Sequence, residues 1–137
     1  MTDVKSGISK YLKAGLLAGL ASAILNNVIY IVMIGIGGYD WVMIVAVSIL
    51  MASFLPNLLA SILYFILSRV TQKARLILTI GVVTFVIVSI LPHLGIGPAP
   101  SPALTALPEG FDQVTIPLHF VFGLSAIFLM PWLVAKD

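Results

Sequence analysis

The chain contains no cysteine, which excludes disulfides, iron–sulfur clusters and thiolate metal sites and leaves no record of redox compartment. Charge is nearly as scarce: 7 Lys and Arg and 5 Asp and Glu make up 9% of 137 residues. Soluble domains average about a quarter charged residues, so this chain lacks the polar surface it would need in water. Its 2 histidines show neither H-x-x-x-H nor E-x-x-H spacing, and no Ser–His–acid or zinc-protease signature marks a hydrolase. The short alternating segments of an outer-membrane barrel are missing as well.

What is present is hydrophobic sequence, 61% of all residues, with a mean hydropathy of +1.18. Polar punctuation divides it into four runs, at about 13–36, 41–68, 75–94 and 114–134. Each is near or above the roughly 20 residues that a helix needs to cross the hydrocarbon core. The expected fold is all-α: a single integral membrane four-helix bundle, with an external loop over 95–113. Lys5, Lys10, Lys13, Arg69, Lys73, Arg75 and Lys136 fall on one side of it, and Asp40, Glu109 and Asp112 on the other. The positive-inside rule then predicts cytoplasmic N- and C-termini and a multi-pass protein of the cell inner (plasma) membrane.

These basic residues account for the pI of 9.1, so no nucleic-acid partner is expected. Tyr39 and Trp41 fit an outer aromatic belt and Trp132 an inner one. Ala21-Ser22-Ala23 resembles a signal-peptide cleavage site, but the apolar run continues past it, which predicts a retained span. No convincing internal repeat is found, and Pro56 within the long second run predicts a tilted or kinked helix.

Small and polar residues mark the faces that meet. Gly15, Gly19, Ala23 and Asn27 recur every four residues in the first run, with Ser22 and Asn26 alongside. Such a stripe lets helix backbones approach closely, either within the bundle or in a homodimer. In the second run Ser53, Asn57, Ser61 and Tyr64 form a polar stripe. At roughly 1.5 Å per residue, Asn26 and Asn57 both lie about 18–20 Å from the basic boundary. They are positioned to face each other as structural glue, or to line a polar path for a solute.

The histidines form the second constellation. His93 follows Pro92 near the external end of the third run, and His119 sits near the external start of the fourth, in "IPLHFVFG". Both come out about 25–27 Å from the inner boundary at roughly 1.5 Å per residue. Glu109, Asp112 and Asp40 share that side. Imidazoles with carboxylates suit zinc, copper, iron or nickel, and paired imidazoles suit haem or a chlorophyll-type pigment; the other reading is a pair of neutral, hydrogen-bonded interfacial residues. Gly123 and Ala126 keep the His119 face otherwise small, which predicts a partner helix against it.

Three stretches, "AGLLAGLASAILNNVIYIV", "RVTQKARLILTIGVVTFVIVSILP" and "PLHFVFGLSAIFLMPWLV", resemble a family of small four-span bacterial membrane proteins, the domain of unknown function six thousand and sixty-nine. The resemblance covers most of the chain. It implies the same fold, and it raises the rank of Leu118-His119 and of Asn26 or Asn27, which match the family's hydrophobe–His pair and first-helix Asn. It brings no activity with it.

Three functions are therefore open: a non-catalytic structural or accessory subunit that packs against itself or a larger membrane complex, a metal-, haem- or pigment-binding protein using His119, His93, Glu109 and Asp112, and a small oligomeric transporter or channel lined by Asn26, Asn57, Ser53 and Ser61. The bilayer is the one partner common to all three.

Overall fold

A computed structural model describes residues 2–38, 44–97 and 110–136. Helix α1 spans Thr2–Gly37, α2 Ile44–Val70 and α3 Ala74–Ile90, the last followed by a 3₁₀ turn over Leu91–Leu94. The fourth rod comprises α4 (Phe111–Leu124), a π turn (Ser125–Leu129) and α5 (Met130–Lys136). Four rods are long and apolar enough to cross a membrane: Gly7–Gly37, Val47–Val70, Ala74–Leu94 and Phe111–Lys136. Each packs against its neighbours in the chain, and the fourth rod returns to α1, closing the ring.

The helix ends differ from the hydropathy boundaries for physical reasons. Hydropathy locates the hydrocarbon crossing, not the helix. Lys10 and Lys13 lie inside α1, which begins near Thr2, because extending a nucleated helix through polar residues costs little. At the far end, Gly110 with φ 80° turns the chain into α4. Asp112 therefore belongs to the first helical turn, where an acidic side chain suits the positive end of the helix dipole. Tyr39, Asp40, Trp41 and Glu109, invoked above, lie outside the described residues.

The basic residues gather at one end. Arg69, from the last turn of α2, comes so close to Gly7 of α1 that a Cβ on that glycine would stand 2.7 Å from its guanidinium. The Arg69 guanidinium also lies 5.2 Å from the Phe65 ring centroid, and Lys136 Nζ lies 4.5 Å from that of Trp132. Tyr11 packs edge-on against Tyr64 and Phe65 at 5.3 and 5.5 Å. Amphipathic rings beside cationic tips are what a membrane boundary favours.

The larger hydrophobic core combines Ala14 and Ala18 of α1 and Ala60 of α2 with a stripe at four-residue intervals on α3, Leu78, Val82, Val86 and Ile90, and with Phe122, Ala126, Met130 and Val134 of the fourth rod. A smaller cluster, Tyr30, Ile49 and Val114, joins α1, α2 and α4 toward the histidine end. The π turn has a local cause in Pro131. Proline offers no N–H, and its ring crowds the carbonyl four residues back. Widening the preceding turn, so that Met130 N–H donates to the Ser125 carbonyl, accommodates it.

Candidate functional site

The small-residue stripe of α1 is used within the chain. A Cβ added to Gly15 would stand 2.4 Å from Ser61 Oγ and 3.1 Å from the Asn57 carbonyl oxygen; one on Gly19 would stand 3.1 Å from Phe54 Cα. Ala23 is buried on the same face. Gly123 does the same for α3, because a Cβ there would stand 2.9 Å from Val86 Cγ2. The stripe is thus the α1–α2 seam, and a homodimer is not needed to explain it.

At mid-depth that seam becomes polar. Asn57, Ser61 and Ser53 are 0%, 0% and 1% exposed. Asn57 Nδ2 donates to the Ser53 carbonyl at 2.8 Å, and Asn57 Oδ1 accepts from Ser125 Oγ at 2.9 Å, which ties α2 to the fourth rod. Asn26 Nδ2 donates to Ser53 Oγ at 2.8 Å and to the Leu118 carbonyl at 3.3 Å, tying α1 to α2 and α4. Since Leu118 O can only accept, the nitrogen of the Asn26 amide must face it, which fixes the amide's orientation.

The asparagines thus share Ser53 between them instead of bonding to each other, because the side chain of Asn57 is turned toward the fourth rod. Asn27 stands apart from the seam: its amide donates to its own Ala23 carbonyl at 2.8 Å. Ser61 Oγ likewise donates to the Leu58 carbonyl, at 2.7 Å. Among the described residues two buried side-chain atoms have no partner, Ser22 Oγ and Asn26 Oδ1, and they sit one turn apart on α1.

Sequence reasoning missed Ser125. The signal was available. Counted back from Lys136 at roughly 1.5 Å per residue, Ser125 lies about 16 Å deep, close to the level of Asn57.

At the other end the two imidazoles do come together, with ring centroids 5.6 Å apart and planes inclined by 55°. His93 Nδ1 lies 2.7 Å from Asp112 Oδ1, in a pair whose side chains are 15% and 50% exposed. His119 Nδ1 lies 3.0 Å from the Thr115 carbonyl oxygen. A carbonyl can only accept, so Nδ1 of neutral His119 carries the hydrogen and Nε2 is left with a lone pair. Among the described residues no group of three or more His, Cys, Asp or Glu could hold a metal ion. Three of the four residues put forward for a metal or cofactor, His93, His119 and Asp112, are therefore neighbours without forming a metal centre by themselves, and Glu109 is outside the described residues.

His119 also lines a cavity of about 400 Å³. All four rods contribute to it: Asn26 of α1, Ser48 through Pro56 of α2, Phe85 of α3, and Phe111 through Phe122 of α4. The wall is chiefly apolar, and its polar groups are Asn26, Ser48, Ser53, Thr115 and His119. A pocket of this size and character fits the general pattern of small-molecule sites. Nothing in the sequence pattern announced it, because its walls come from four separate segments.

Comparison of the chain with protein-family models, with curated proteins and with solved structures finds no match.

Proposed function

We propose that the chain is a non-catalytic accessory subunit of a bacterial inner membrane, of the four-span family it resembles, with its basic end on the cytoplasmic side and a larger membrane complex as its partner. The observation that carries this reading is the outer face of α3. That helix buries Ala74, Leu78, Val82, Val86 and Ile90 and leaves Gly81 and Thr84 exposed between them among Ile80, Val83, Phe85 and Val88. A Cβ on Gly81 would meet nothing within 4 Å. Glycine weakens a helix by about 1 kcal/mol relative to alanine, so a glycine facing open space has no use within the bundle. A small residue beside a hydroxyl is the surface on which a second membrane helix packs closely.

The seam supports the same reading. Both amide nitrogens are committed to other groups of the bundle, and Asn57 Oδ1 to Ser125, which favours a role in holding the helices together. The test is crosslinking in the native membrane followed by recovery of the chain. A defined crosslinked product with the unaltered protein, lost in Gly81→Leu and Thr84→Leu while both variants keep their helical content, is the expected result. Absence of any product with the unaltered protein overturns the reading.

A further inference from the structure

The cavity beside His119 is lined by acceptors as well as by hydroxyls. Two of its donor side chains are already committed. Thr115 Oγ donates to the Phe111 carbonyl at 2.6 Å, and Asn26 Nδ2 divides its hydrogens between Ser53 Oγ and the Leu118 carbonyl. Acceptors remain. In the neutral ring His119 Nε2 carries the lone pair, because the Thr115 carbonyl draws the hydrogen to Nδ1. Pro56 has no N–H to offer the carbonyl of Ala52, four residues earlier, and both residues line the cavity. Asn26, 2% exposed, contributes Oδ1, which accepts from no group among the described residues. A lipid-level cavity furnished with acceptors selects a molecule that brings a donor, because an unpaired polar group in an apolar surrounding is costly.

The walls narrow the class further. Phe85, Phe111 and Phe122 offer three aromatic rings, against which a flat ring packs edge-on or offset. Ser48, Ala52 and Phe85 are exposed on the outside of the bundle and lie within the spans, so the cavity opens sideways toward the lipid. We propose that this cavity binds an apolar aromatic molecule from the lipid phase that carries a hydroxyl, with the hydroxyl donating to His119 Nε2 and the ring set among the phenylalanines. The step is binding alone, with no bond made or broken and no electron transferred. It does not rest on the accessory-subunit reading, since it is argued from the cavity's own lining, although the two surfaces meet at Phe85.

The test uses 2-naphthol and its methyl ether, which share a ring system and differ in the donor hydrogen. The full chain is placed in lipid nanodiscs, and retention of each compound is measured by equilibrium dialysis against empty nanodiscs of the same lipid. Saturable retention of the naphthol, roughly fivefold tighter than that of the ether, is expected from one net hydrogen bond. In His119→Leu that preference should vanish while the ether is retained as before. In Ala52→Phe, which fills the cavity and leaves His119 in place, both compounds should fall to the level of empty discs. Helical content and elution volume establish that each variant folds, and the naphthol-to-ether ratio of the unaltered protein decides the matter even if one does not. Equal retention of the two compounds, retention no greater than in empty discs, or a naphthol preference that survives His119→Leu would each overturn the proposal.

Discussion

Toward the basic end, α1 meets α2 at Gly15 and Gly19 so closely that an added Cβ would stand 2.4 Å from Ser61 Oγ or 3.1 Å from Phe54 Cα. Toward the histidine end, the four rods leave a cavity of about 400 Å³. The two regions are built from the same helices, and the residues at the contact decide the difference. Alanine and glycine let backbones approach in the closed region, while Pro56 and the rings of Phe111 and Phe122 line the open one. In lipid, where apolar side chains gain little by leaving their solvent, packing and interhelical hydrogen bonds supply most of the association. The closed region is therefore the structural one, and the open region is free to do something else.

The largest expected effect breaks the closed half. Gly15→Leu must displace Ser61 and the Asn57 backbone, and overpacking of this kind costs about 3 kcal/mol. The check is reversible unfolding in mixed detergent. A loss below about 0.5 kcal/mol would mean that the helices do not touch there. Next in size is the polar seam. Asn57→Leu keeps the volume and removes the link to Ser125 and the bond to the Ser53 carbonyl, which should cost about 1 kcal/mol. A double-mutant cycle with Ser125→Ala should return a coupling of about 0.6 kcal/mol. Zero coupling would show that the seam does not join α2 to the fourth rod.

The sequence made the closed half far more legible than the open one. Four apolar runs gave four rods, and the four-residue recurrence of Gly15, Gly19 and Ala23 identified the buried face of α1. Depth counting put His93 and His119 at one level, and their rings do lie 5.6 Å apart. These inferences depend on periodicity or rise within one helix, which a sequence states directly. Rotation of one helix about its axis relative to another is not stated in the same way. Asn26 and Asn57 were placed at one depth, yet they meet only through Ser53, and Asn57 turns its oxygen to Ser125. The π turn at Ser125–Leu129 shifts the register of the fourth rod by part of a turn, and only coordinates reveal that. A cavity whose walls come from four segments is harder still, being defined by where side chains stop.

The smallest expected effect belongs to the tie at the histidine end. Asp112→Asn keeps the shape of the side chain and removes the charge that faces His93 Nδ1 across 2.7 Å. Asp112 is half exposed, and a pair with one such partner contributes little because water competes for its carboxylate. The same substitution removes a favourable charge from the first turn of α4, worth a few tenths of a kcal/mol at an exposed helix end. Together these terms predict a loss of less than about 1 kcal/mol, read by the same detergent unfolding used for Gly15→Leu. If the histidine end is held as loosely as its packing implies, Asp112→Asn should unfold close to the unaltered protein and well apart from the glycine variant. A loss of about 2 kcal/mol or more would put the His93–Asp112 pair among the main struts of the bundle, and the contrast between a closed structural half and an open half would no longer hold.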